Sequence, residues 1–452
     1  MENAHNWIVL KFGETSEKSL QDWCALSKRI KHLLSRIGSM LKGNWRTLAR
    51  QQANASDAGD RITLDQNDAS SGPLDPRPLW WRRRRDDLLA LCPPDRPLYV
   101  YDLETVSARA TTIANLPHLD RGWYAMKANG HPDVLRTAYA AGLGLECVSI
   151  AEVHAAREAI PDLDMDRILF TPNFTARAEY AEALALGVHL TLDGLYPLQA
   201  WPELFDEHDI ILRVNPQTPE GHHRHVQTAG PDCKFGLHAG DLVEAQSLAG
   251  AAHCRIVGLH VHASSGINDP QHWGRVGRFL AEIARQMPDI RILDLGGGLG
   301  VDNATGPQGI NARELDAELA TLKSAYPDYA LWMEPGRFIV AEAGVLLARV
   351  TQLKRTPDAW FIGINAGMNS LIRPALYGAH HDIVNLTRLH DTPDHIAEIV
   401  GPICETADRF GAQRPMPPTR EGDVILVDNG GAYGRVMGSH YNMRPPAEES
   451  VI

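Results

Sequence analysis

WYAMKANGHPDVLRTAYAAGLGLECVSIAEVHAAREAI, residues 123–160, is the stretch that decides the fold. The apolar run WYAM (123–126) is followed by HPDVLRTAYAAG, whose apolar residues recur at helical spacing; LECV (145–148) and the helical AEVHAAREAI then repeat the unit. The same alternation continues through RILF (167–170), VHLTL (188–192), IILRV (210–214), IVGLHVH (256–262), RILDL (291–295) and LWMEP (331–335). Eight strand-like runs separated by helical segments predict an α/β chain built on a (β/α)8 barrel.

Both flanks of this region read differently. Residues 51–78 are poor in large apolar residues and rich in Asp, Ser, Ala and Pro, so they read as a linker. Residues 19–41 carry apolar positions at helical spacing without enough of them for a core. Beyond about residue 343, VLLARVTQLK, AWFIGIN, IAEIVGPIC and DVILVD are separated by turn residues, which predicts a C-terminal all-β domain. LYVYD (98–102) precedes the first barrel strand and is free to pair into that domain. The expected division is a helical extension and linker over 1–78, a lead-in over 79–107, the barrel over 108–343 and the β domain over 344–452.

A formal net charge of −12 over 452 residues argues against a general nucleic-acid binder. The one basic run, Arg82–Arg85 after Trp80–Trp81, reads as solvated surface. Six scattered cysteines form no C-x-x-C pair, as suits a reducing compartment. The N-terminus lacks the pattern of a secretory signal, and no apolar run approaches the ~18–20 residues of a membrane span, so a cytoplasmic protein is expected. No metal-ligand spacing is present.

Several strand ends carry chemistry-bearing residues. Lys127 closes the first barrel strand, where partial desolvation is expected to lower its pKa. Glu334 closes the eighth, followed by Pro335, Gly336 and Arg337. Gly296, Gly297, Gly298 and Gly300 follow the seventh, a usual place for phosphate in barrels. His262 ends the sixth, with Ser264 and Ser265 after it; of His260 and His262, one at most is expected to face the barrel mouth. Taken singly, each has an ordinary structural reading: a surface lysine, a Glu334–Arg337 ion pair, a turn, a satisfied histidine. Together they supply what pyridoxal phosphate (PLP) requires, namely a lysine for its aldehyde, a carboxylate for its ring nitrogen, a phosphate cradle and a group against the ring face.

The chain resembles the PLP-dependent decarboxylases with an alanine-racemase-type barrel, and among them the diaminopimelate decarboxylase family. The resemblance rests on YAMKAN (124–129), HASS (262–265), GGGLG (296–300), EPGR (334–337), AGMNSLIRPALY (366–377), GPICET (401–406), GAY (431–433) and YNMRP (441–445), in family order, and covers roughly 95–450. It implies decarboxylation of meso-2,6-diaminopimelate to L-lysine by a homodimer with shared sites. By position it implies Lys127 as the cofactor lysine, His262 as the stacking residue and Glu334 as the ring-nitrogen partner. Ser265, Gly298 and Tyr433 would hold phosphate. Arg337, Arg373 and Tyr377 would hold the substrate's distal carboxylate, with Cys404 and Glu405 supplied by the neighbouring subunit. A substrate without that carboxylate would leave Arg373 buried and unpaired. The rival readings are decarboxylation of ornithine or arginine, racemisation, and a non-catalytic PLP-binding regulator.

Departures from the family pattern fall at Glu146, Ala263, Ser264, Gly266, Asn365, Ser370 and Ala407. A second resemblance lies at IVLKFGETS (8–16), which looks like the opening strand and phosphate loop of aspartate kinase, with Glu14 in place of a glycine. Some 75 residues are too few for a kinase domain, and a vestige without kinase activity is expected.

Overall fold

The computed structural model describes residues 79–216, 233–302 and 309–452. The expected N-terminal helices, the linker and the kinase-like segment lie outside the described residues. Everything described falls within one compact unit, 77–452.

Strand β1 (Leu98–Tyr101) comes first, followed by β2 (Arg121–Ala125), β3 (Gly144–Cys147), β4 (Ile168–Phe170), β5 (His189–Leu192), β6 (Asp209–Arg213), β7 (Arg255–His260), β8 (Ile292–Asp294) and β9 (Ala330–Met333). β2 to β9 form a closed parallel barrel, sealed where Arg121 and Gly122 of β2 pair with Trp332 and Met333 of β9. Local sequence explains the helices between them. Asp102, Ser149 and Asn311 each cap a helix by accepting from a backbone N–H two or three residues on, and Pro132 opens another at its first position.

Trp123, Leu169, Ile211, Val257, Ile292 and Trp332 form a buried cluster of their own. Four of them come from the alternate strands β2, β4, β6 and β8, which is the layered filling of a barrel interior. Gly144 admits this layer, since a Cβ there would lie 2.3 Å from the Trp123 ring. Trp123 and Trp332 meet edge-on at 5.1 Å, worth about 0.5–1.5 kcal/mol beyond burial. Because side chains alternate along a strand, residues two beyond each inward one also point inward, and these stand at the carboxyl end of the barrel.

The second domain is an eight-stranded sheet. Its strands are β10 (Gly344–Arg355), β11 (Trp360–Ile364), β12 (Ile383–Asn385), β13 (His395–Val400), β14 (Arg409–Met416), β15 (Val424–Val427) and β16 (Glu448–Val451), together with β1. β1 lies antiparallel to β10 and parallel to β16. The basic run is solvated only in part: Arg83 is exposed, whereas Arg82 lies over the Trp81 ring and Arg85 donates to the Leu386 and Thr387 carbonyls.

Candidate active site

Lys127 follows β2 in a single 3-10 turn, Met126–Ala128. Its ammonium lies 2.5 Å from Oε2 of Glu146, which is fully buried and stands on β3 where Glu146 pairs with Ala125. Thr171, just beyond β4, donates to the other Glu146 oxygen. The expectation of a lowered lysine pKa is corrected. Burial does push it down, but the carboxylates of Glu146 and Glu334, with Tyr433, outweigh burial and raise it.

Glu334 follows β9 and is buried, with Oε2 3.4 Å from Nε2 of His260. Ligand atoms of His260, Asp294 and Glu334 all lie within 4.8 Å of one another. Two carboxyls buried this closely do not both ionise. Burial and the neighbouring Glu334 push Asp294 well up, which disfavours its charged form. Burial would raise Glu334 as well, but His260 and Lys127 reverse this and hold it below the usual carboxylate range.

His260 and His262 both serve this region, against the expectation of one. Residues i and i+2 share a strand face, and β7 ends at His260. The His262 ring accepts from the Gly297 N–H at 3.1 Å through Nδ1. Burial, with Lys127 and Arg213 nearby, lowers its pKa to about 3, so the ring is neutral at ordinary pH.

In the glycine loop, Gly296 and Gly298 adopt φ of +66° and +93°, which side chains rarely take. The Gly296 N–H donates to Asp294 Oδ1 at 2.9 Å, so Gly296 and Gly297 orient Asp294 and His262. A Cβ on Gly297 would lie 2.1 Å from the Glu334 carbonyl oxygen. Gly297→Ala is therefore expected to shift Glu334 and to destabilise the chain by about 1–3 kcal/mol. Thermal unfolding with and without PLP checks this, and an unchanged Tm with unchanged PLP affinity would count against the close approach.

The phosphate and carboxylate candidates gather on the β-domain side. Ser265 Oγ accepts from Arg337 at 3.2 and 3.1 Å, and the Arg337 guanidinium lies 4.9 Å over the Tyr433 ring. Tyr433, at φ +56°, donates its N–H to the Ala128 carbonyl beside Lys127, and Asn129 Nδ2 donates to the Gly431 carbonyl. Arg373 opens the short helix Arg373–Tyr377. Burial and nearby Arg337 lower its pKa to about 9. Among the described residues neither guanidinium has a carboxylate partner. Tyr377 acts electrostatically on both.

Cys404 and Glu405 stand apart from this cluster. Both are exposed, Cys404 Sγ accepting from Asn442 and Glu405 from the Tyr441 hydroxyl. Of the departures, Glu146 belongs to the site, whereas Asn365 accepts from the Arg349 N–H and Ser370 from the Ala447 N–H, supporting the β domain. Asp294, His260 and His381 are additional residues of this region. The sequence signal for the first two was parity along β7 and β8.

These residues fit PLP. Glu334 Oε1 is buried without a hydrogen-bond partner, where a pyridine N–H would donate, and the loop near Gly298 has no room for side chains. The model for the pyridoxal binding domain of pyridoxal-dependent decarboxylases matches residues 104–341. A diaminopimelate decarboxylase of Methanothermobacter thermautotrophicus is 36% identical over 72% of this chain and 78% of its own length. The chain belongs to the diaminopimelate decarboxylase family. The family member from Escherichia coli K12 is 30% identical, over 77% of this chain and 87% of its own. The solved diaminopimelate decarboxylase of Helicobacter pylori complexed with L-lysine matches with a TM-score of 0.75 and 28% identity, covering 81% and 93% of the two chains.

Proposed function

We propose that this chain decarboxylates meso-2,6-diaminopimelate to L-lysine and CO2 with PLP as cofactor. The observation that carries the substrate is the pair of half-buried guanidiniums, Arg337 and Arg373, with no carboxylate partner among the described residues. A second carboxylate separates diaminopimelate from ornithine, arginine and lysine, and an arginine fork binds that group in two places.

PLP when bound supplies a conjugated ring that accepts the electron pair left behind by departing CO2. Lys127 would hold its aldehyde end. His262, neutral, would hold the ring face, and Glu334 would keep a negative charge at the ring nitrogen, with Pro335 and Gly336 beside it. Ser265, Gly298 and Tyr433 hold phosphate. Arg337, Arg373 and Tyr377 hold the distal carboxylate. Lys127, or Cys404 of a second copy, returns a proton to the α carbon, and Glu405 of that copy completes the substrate end. This makes the enzyme a homodimer. The chain is assigned to the cytoplasm, and no helix among the described residues is long and apolar enough to cross a membrane. The kinase-like residues 8–16 are read as a vestige.

CO2 release measured across meso-diaminopimelate, lysine, ornithine and arginine tests this reading. Turnover of the dicarboxylate alone is expected; preference for a monocarboxylate, or PLP binding with no CO2 from any of them, would overturn it. Arg373→Met should lower kcat/KM for meso-diaminopimelate about 10²-fold or more, because a site built around an ion loses far more than a contact.

A further inference from the structure

The two arginines pose a problem of position: a half-buried guanidinium without an acid is free to turn away. His381 answers it for Arg373. The imidazole is fully buried, with Nδ1 2.8 Å from the Asp428 carbonyl oxygen and Nε2 2.9 Å from an Arg373 terminal nitrogen. A carbonyl oxygen only accepts, so Nδ1 carries the ring proton. A guanidinium only donates, so Nε2 must be bare. The ring is thereby fixed as one neutral tautomer. Burial, with Arg373 and Arg337 beside it, lowers its pKa to about 3, consistent with that assignment.

Resting on the assignment of Arg373 to the distal carboxylate, we propose that His381 is a specificity-positioning residue, which aims the Arg373 guanidinium while leaving its full charge for the substrate. An Asp or Glu at this point would aim it too, but would cancel the charge. A neutral acceptor anchored on the Asp428 backbone does only the first. The ligand class selected is an amino acid whose far end bears a carboxylate.

The test uses the PLP-loaded enzyme with three variants of His381. In His381→Leu, KM for meso-diaminopimelate should rise about tenfold or more with kcat within about threefold, while the Kd of cadaverine, which lacks the distal carboxylate that the product L-lysine keeps, stays unchanged. His381→Gln, which can both accept from Arg373 and donate to Asp428, should recover most of the loss. His381→Glu should behave as the leucine variant does, since its carboxylate pairs with Arg373. Retained cofactor absorbance verifies each fold. Equal weakening of cadaverine and dicarboxylate, or no recovery in His381→Gln, would make His381 merely structural and overturn the proposal, as would an unchanged KM in His381→Leu. Arg373→Met separates the two levels. If it leaves the dicarboxylate-to-cadaverine preference intact, the assignment of Arg373 is wrong; if it collapses that preference while His381→Leu does not, only the role of His381 falls.

Discussion

In a Lys127→Ala chain, PLP is expected to wash out on gel filtration and to resist fixation to the protein by borohydride, while turnover falls on the order of 10⁴-fold. The reason lies in the place of the ammonium. It is held 2.5 Å from a buried Glu146 oxygen, at the end of β2, where two acids and a phenol converge. No other lysine appears among the described contacts of this cluster, so the amine cannot be supplied from elsewhere in it. A small primary amine in the medium should restore part of the rate, because it replaces the missing group without replacing its tether. A mutant that stays coloured after reduction and remains active would remove Lys127 from the mechanism.

The second large effect is expected at Glu334. Glu334→Gln keeps shape and burial but removes the charge facing the ring nitrogen, and turnover should fall about 10²–10³-fold while PLP remains covalently attached. Asp294 is a poor substitute, because burial pushes its own carboxyl well up and it is turned to the Gly296 N–H. Losing the Glu334 charge also relieves Asp294 of its like-charged neighbour, so the carboxyl left behind should ionise more readily in the variant. Infrared titration of the carboxyl band checks this second consequence. Activity within a few-fold of the parent would show that the ring nitrogen takes its proton from another group.

Much of this was legible before any coordinates. The alternation from Trp123 to Pro335 set the barrel, because strand and helix periods differ and each strand end lands on one face. Lys127, Glu334 and the glycines were visible there for that reason. What escaped depended on relations between strands. The direction of the Lys127 shift follows from Glu146, whose importance comes from pairing opposite Ala125 rather than from its own surroundings in sequence. His260 was misplaced by an error of parity, since it and His262 share a face. Asp294 looked like an ordinary strand residue until Glu334 stood beside it. His381 sits between two motifs and contacts Asp428, 47 residues on, a pairing that no local pattern encodes.

The two bonds that tie the segment around Gly431 and Tyr433 to Ala128 and Asn129 have a thermodynamic consequence. The residues proposed to grip the phosphate come from both domains, while the lysine comes from the barrel alone. A ligand that needs both binds only the docked arrangement, and at about 100 times its Kd it would stabilise docking by about 2.7 kcal/mol. The cofactor would then act as a rivet across the seam, and its loss would loosen the join before it unfolds either half.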